Sequence, residues 1–376
     1  MTPLKALAVV AGTAVVVGDV SDLMHSLIVP RPIRRRTVTA LAAVARRTLN
    51  LVAARIRSYE ARDRFLASGE PLVMLFRLVA WLTVGFGGFG LVIWGIGRVP
   101  FGRAFVESGS SLFTLGFATE ARAAPEVVAF IESGFGLLVI ALQIAYLPAL
   151  YDAFNRRETL VSMLESRAGT PPWGPELLAR HYLVGIQDNL PTLYDEWERW
   201  CADVSESHTA YPSLLHFRSP HPTNSWVVGL VAVLDSATLY LSLCPQVAPA
   251  EARLCVRMGF TCLRDIARVM RIEFDPDPSP EDPISLPFDE FAEAVQRLER
   301  AGVPVERSAE AAWPHFRGWR VNYEAISYVI AYRLFAPPAL WTGPRRRAAG
   351  GTMSPVRPLD RRPGMPQGDP EEQADR

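Results

Sequence analysis

The chain has 376 residues, 49% of them hydrophobic, and its 39 basic residues are balanced by 39 acidic ones to a net charge of zero. That length holds a membrane unit and one soluble domain, and the balanced charge, with no basic patch interleaved with aromatics, gives no expectation of a nucleic-acid partner. Cys201, Cys244, Cys255 and Cys262 lack CxxC spacing and read as reduced structural thiols.

The apolar residues concentrate in the N-terminal part. Residues 4–29, 72–96 and 127–150 are each near or above the roughly 20 residues that span a bilayer. The first of these follows Lys5, as a signal peptide would, but the apolar pattern continues through Val29, so a span is expected. Its residues Asp19, Asp22, His25 and Ser26 share one face. Asp22 lies roughly 12 Å above Pro30 at the helical rise per residue, and Arg77 in the second span sits at a similar height. An ion pair between Arg77 and Asp22 or Asp19 is therefore expected, either pinning the first helix to its neighbour or acting as a proton or ion relay.

Between these spans, residues 37–65 have helical periodicity, with Leu41, Val44, Thr48 and Ile56 on one side and most arginines on the other. This reads as a basic amphipathic helix on a lipid surface or as a solvated connector. The second span is rich in glycine, which permits close helix contact. A short helix is expected over residues 101–112, with Ser110 and Ser111 behind the segment Thr114, Leu115, Gly116, Phe117, Ala118. In the third span, Glu132 reads as a brace or an ion ligand, Gly134 and Gly136 as a hinge, Gln143 as a cavity-lining polar residue, and Tyr146-Leu147-Pro148 as a kink or a narrowing.

The order helix, short helix, Thr-Leu-Gly-Phe loop, helix resembles the pore unit of the two-transmembrane potassium channel superfamily, and the resemblance extends over residues 70–175. It implies a homotetramer around one shared pore, in which Thr114, Leu115, Gly116 and Phe117 offer backbone carbonyls to a monovalent cation such as potassium. Ala118 stands where that family has glycine, and Thr119 where an aspartate commonly follows. A glycine there accommodates positive φ, which alanine adopts only at a cost of about 1 to 2 kcal/mol, so an altered upper filter is expected.

Ten arginines between the first two spans, from Arg31 to Arg64, oppose only Glu60 and Asp63, which makes this loop cytoplasmic. The N-terminus then faces outward, and everything beyond about Asn155 is cytoplasmic, as in a multi-pass protein of a bacterial inner membrane. Residues 176–335 read as an all-α domain, with helices expected at 176–189, 192–207, 225–243, 250–271, 289–301 and 309–334. Asp235 in the middle of an apolar stretch makes residues 226–244 a buried core helix rather than a fourth crossing. Trp197, Trp200, Trp313, Trp319 and Tyr323 read as core aromatics. His208, His216 and His221 near Glu198, Asp203 and Glu206 match no established metal spacing, and proline-rich turns commonly carry surface histidines.

The expected organisation is an all-α membrane protein: an N-terminal transmembrane helix (1–30), a basic connector (31–69), a pore domain (70–155), an all-α cytoplasmic domain (156–336) and a disordered tail (337–376). The expected activity is cation conduction. The alternatives are a non-conducting membrane-anchored sensor or scaffold with a cytoplasmic partner, and a membrane-tethered enzyme built on the histidines. No catalytic residue, metal or cofactor is expected, and membrane lipid is the expected surrounding. No GxGxxG follows a strand, so gating by a Rossmann-type domain is not expected.

Overall fold

A computed structural model describes residues 2–28, 37–343 and 352–356. Among them thirteen α-helices form, and there is no strand beyond two isolated bridges. The chain divides into two compact units, residues 1–56 with 65–152 and residues 57–64 with 153–376. The expected connector is therefore divided. Its first helix belongs to the first unit, and residues 57–64 belong to the second.

In the first unit, α1 (Pro3–Leu27) starts where the Thr2 hydroxyl accepts from the Lys5 amide. It lies along α4 (Gly69–Ile96) with α2 (Thr37–Ala53) beside both. The approach of α1 to α4 depends on glycine: a Cβ at Gly12 would stand 2.5 Å from the Gly88 carbonyl oxygen. At the far end the Lys5 ammonium donates to the Gly97 carbonyl at 2.7 Å. The basic connector is two helices rather than one, because the chain leaves helical conformation after Ala53 and resumes in α3 (Tyr59–Ala67). Arg46 on α2 pairs with the buried Glu70 of α4 at 2.8 Å, while Leu41, Val44 and Leu51 remain exposed. The stripe expected to lie on lipid is thus uncovered within its unit.

The short helix α5 (Phe101–Leu112) has the bounds expected from the sequence, and α6 (Ala123–Ala168) follows the intervening loop. Pro148 lies inside α6, and the helix continues through it for 46 residues in all. A proline removes one backbone hydrogen bond, and here that loss does not end the helix.

The second unit is built on α9 (Trp226–Leu243), with α7 (Gly174–Val184), α8 (Leu190–Ala210), α10 (Ala250–Met270), α11 (Phe288–Arg300), α12 (Ala309–Arg320) and α13 (Glu324–Arg333) around it. Among the described residues four helical stretches are long and apolar enough to cross a membrane, Pro3–Leu27, Tyr59–Ile96 (α3 with α4), Ala123–Ala168 and Trp226–Leu243. Their burial separates them: 28, 39 and 33% of the apolar window is buried in the first three, and 94% in the fourth. The first three present apolar surface that only lipid or another chain can cover. The fourth is a core helix.

Residues 309–334 form two helices, not the single one expected. The break after Arg320 allows Arg320, Tyr323 and Glu324 all to face the core. The expected disordered tail also begins too early at 337, since Trp341 is buried against Trp173 and Phe316, with ring centroids 5.8 and 5.7 Å away. Its aromatic area repays ordering that a purely polar tail could not. The remainder of that expectation, 344–351 and 357–376, lies outside the described residues, as do residues 29–36 between the first two helices.

Candidate functional site

The loop after α5 is held to its own helix by buried polar groups. Ser110 Oγ accepts from the Ala118 amide at 3.1 Å, and the Ser110 carbonyl accepts from the Leu115 amide at 2.8 Å. Glu107, 1% exposed, accepts from the Glu120 amide at 2.9 Å, and the Glu120 carboxylate accepts in turn from the Arg98 amide at 3.1 Å. Ser111 contributes through its carbonyl, which accepts from Ser133 Oγ on α6 at 2.8 Å and from the Thr114 amide at 2.9 Å. Both ends of the loop are tied, and Phe113, Leu115 and Phe117 project outward, 53, 63 and 66% exposed.

The backbone strain lies elsewhere than expected. Ala118 is buried and does not take a positive φ; the left-handed positions are Thr114, at 55°, and Gly116, at 72°. Gly116 adopts that conformation freely. Thr114 carries a β-branched side chain there, at a cost of about 1–2 kcal/mol.

Behind the loop, Glu132 is fully buried and its Oε1 accepts from Ser108 Oγ at 2.6 Å. Ser108 also stands 3.0 Å from the Phe86 carbonyl, so α4, α5 and α6 meet at this hydroxyl. Glu132 on α6 is thereby linked to α5 through Oε1, while its Oε2 has no hydrogen-bond partner among the described residues. Of the two expected hinge glycines, Gly136 is a close-packing position, where the Leu112 carbonyl would collide with any Cβ, whereas Gly134 faces open space. Gln143 is buried, with Oε1 unpartnered among the described residues.

The expected ion pair of Arg77 with Asp22 or Asp19 is not formed. Asp22 Oδ2 accepts from the Trp81 indole Nε1 at 3.1 Å, and the Arg77 guanidinium lies 5.5 Å from the centroid of the same ring. Height along the helices brought the charges level, but Trp81, one turn after Arg77 on α4, takes the place between α4 and α1. Both Asp19 oxygens, together with Arg77 Nε and Nη2, have no hydrogen-bond partner among the described residues.

In the second unit, the polar groups serve packing. Arg320 is fully buried; it donates to Asp235, to Glu324 at 2.9 Å, to the Tyr328 hydroxyl at 3.2 Å and to the Trp341 carbonyl at 2.7 Å. Tyr323 donates to the same Asp235 oxygen at 2.7 Å. Burial pushes the Asp235 carboxyl up to about 6, against the pull of Arg320 and Tyr323. His208 is buried as well. Its Nε2 lies 3.1 Å from Arg157 Nη1, which can only donate, so this nitrogen accepts. Its Nδ1 lies 3.0 Å from Ser207 Oγ, whose own proton goes to the Asp203 carbonyl at 2.6 Å. Burial first, and Arg157 second, hold His208 well below the usual imidazole range. The histidines are therefore not drawn into one centre, and among the described residues no group of three or more His, Cys, Asp or Glu side chains could hold a metal ion.

No protein-family model, curated protein or solved structure matches the chain. What this region does has to be read from its own residues. Sequence reasoning missed Glu107, Ser108, Glu120 and Ser133. A signal existed for the first two, because Glu107, Ser108 and Ser111 share one face of a 12-residue helix between apolar spans, where polar side chains need internal partners.

Proposed function

We propose that the protein is a potassium-channel-like membrane protein in which four copies surround a pore and conduct a monovalent cation past the carbonyls of Thr114, Leu115, Gly116, Phe117 and Ala118. The observation that carries this reading is the tethered loop: a short helix and a strained, polar-anchored turn between two long apolar helices. Non-helical backbone at membrane depth is tolerated where protein buries it or where it lines a water-filled path, and this loop exposes apolar side chains that neighbouring copies would cover. The C-terminal dipole end of α5 favours a cation nearby. Gly134, whose neighbourhood is open, is the residue available for a hinge in α6. The arginine-rich connector orients the N-terminus outward and residues beyond 155 toward the cytoplasm of a bacterial cell.

A non-conducting anchor for an α-helical sensor or scaffold domain is the second reading. It is favoured by the way the Leu115 and Gly116 amides both turn back to the Ser110 carbonyl, at 2.8 and 3.4 Å, closing the loop on its own helix. Cation flux through purified protein in liposomes separates the two, with potassium compared against sodium and Gly116→Asp as the blocked control. Flux that the control abolishes supports conduction. A verified tetramer without flux supports the anchor.

A further inference from the structure

A cavity of about 680 Å³ lies between α1 and α4, closed at one side by Phe105 of α5. Eight of its eleven lining residues are apolar or glycine, and the rest are Asp19, Asp22 and Thr83. Asp19 is 3% exposed, and neither of its carboxylate oxygens has a hydrogen-bond partner among the described residues. An unpartnered buried carboxylate is costly, and this one lines a space large enough for a small organic molecule.

We propose that this cavity is a binding site for a lipophilic amine, whose ammonium group pairs with Asp19 while its hydrocarbon body packs on Val15, Val84, Leu91 and Phe105. Charge sets the head: among the described residues the two carboxylates on α1 are the only ionisable groups in the lining. Size sets the body. A bare inorganic cation would occupy a small part of 680 Å³ and leave the apolar wall facing water. The Thr83 hydroxyl already donates to the Val79 carbonyl at 2.7 Å, leaving a lone pair to accept from an ammonium. The site lies apart from the loop after α5, so it stands whether or not that loop conducts.

The test uses the full chain in lipid nanodiscs, with 1-aminoadamantane as the probe and 1-adamantanol as its neutral isostere, binding being read by saturation-transfer NMR against empty nanodiscs. Saturable binding of the amine, absence of saturable binding of the alcohol, and at least tenfold weaker amine binding in Asp19→Asn are expected. Gly87→Leu supplies a second variant: Gly87 lines the cavity, and a Cβ there meets nothing within 4 Å, so the side chain fills the space and leaves both carboxylates in place. It too should lose the amine, and it decides the matter if Asp19→Asn fails to fold. Equal binding of amine and alcohol, undiminished binding in either folded variant, or no saturable binding of the amine overturns the proposal.

Discussion

Trp81 and Asp22 are joined across α4 and α1 by a hydrogen bond from indole Nε1 to Oδ2, 3.1 Å long, and this contact occupies the place where charge alone would put Arg77. The same indole ring lies beneath the Arg77 guanidinium. The two helices are therefore pinned by an aromatic donor, with the arginine packed on it rather than paired to a carboxylate.

Trp81→Phe keeps an aromatic, though smaller, ring and removes the donor. It should lower stability by about 1–3 kcal/mol, seen as a lower melting temperature by circular dichroism in detergent. Arg77→Met, which forfeits only the ring contact, should cost about 0.5–2 kcal/mol. If Arg77→Met is the more damaging of the two, the arginine has an ion-pair partner after all.

The two glycines of α6 should respond in opposite directions. Gly134→Ala meets open space and gains helix propensity of up to about 1 kcal/mol. Gly136→Ala drives a methyl group into the Leu112 carbonyl at the end of α5 and should lower the melting temperature. Thermal unfolding of the pair checks this.

Relief of strain at the loop should come from Thr114→Gly, because Thr114 holds a φ of 55°. The expected gain is about 1 kcal/mol, strain relief set against the added entropy of glycine in the unfolded chain. Ala118→Gly should bring no such relief, since Ala118 is not left-handed. Comparison of the two melting curves with wild type decides it, and a stabilising Ala118→Gly would contradict this account.

Arg320→Met leaves Asp235 and Glu324 buried without their guanidinium partner. Breaking a buried ion pair from one side costs about 3–5 kcal/mol, so this variant should fail to accumulate or should unfold well below wild type. Asp235→Asn removes the charge and keeps an acceptor for Arg320 and Tyr323, so its loss should be smaller. Protein yield and urea unfolding provide the ranking.

Acid should weaken the second unit through His208 and His181, whose burial holds both imidazoles below their ordinary range. Below about pH 6.5 the unfolded chain takes up protons that the folded imidazoles refuse. The stability they contribute is thus present above that pH and is lost as pH falls. His208→Gln retains an acceptor for Arg157 and removes the titration. The difference in unfolding midpoint between pH 7.5 and 5.5 should shrink in this variant.

By itself the sequence determined the elements whose cause is local. The bounds of α5 follow from a short amphipathic run after Pro100, and α1, α4 and the first part of α6 from apolar length. Asp235 marked α9 as a core helix because a lone carboxylate in an apolar helix requires a partner within the protein. Only the tertiary structure decided what that partner is: Arg320, 85 residues away, beyond any periodicity in the chain. The same holds for Trp81 in place of Arg77, for Glu107 and Ser110 gripping the loop, for the break that turns one expected helix into α12 and α13, and for Trp341 ordering a segment whose composition reads as a tail. Period and composition report which face of a helix is apolar. They do not report which distant atom completes a buried polar group, because that choice is made by packing among elements with no fixed separation in sequence.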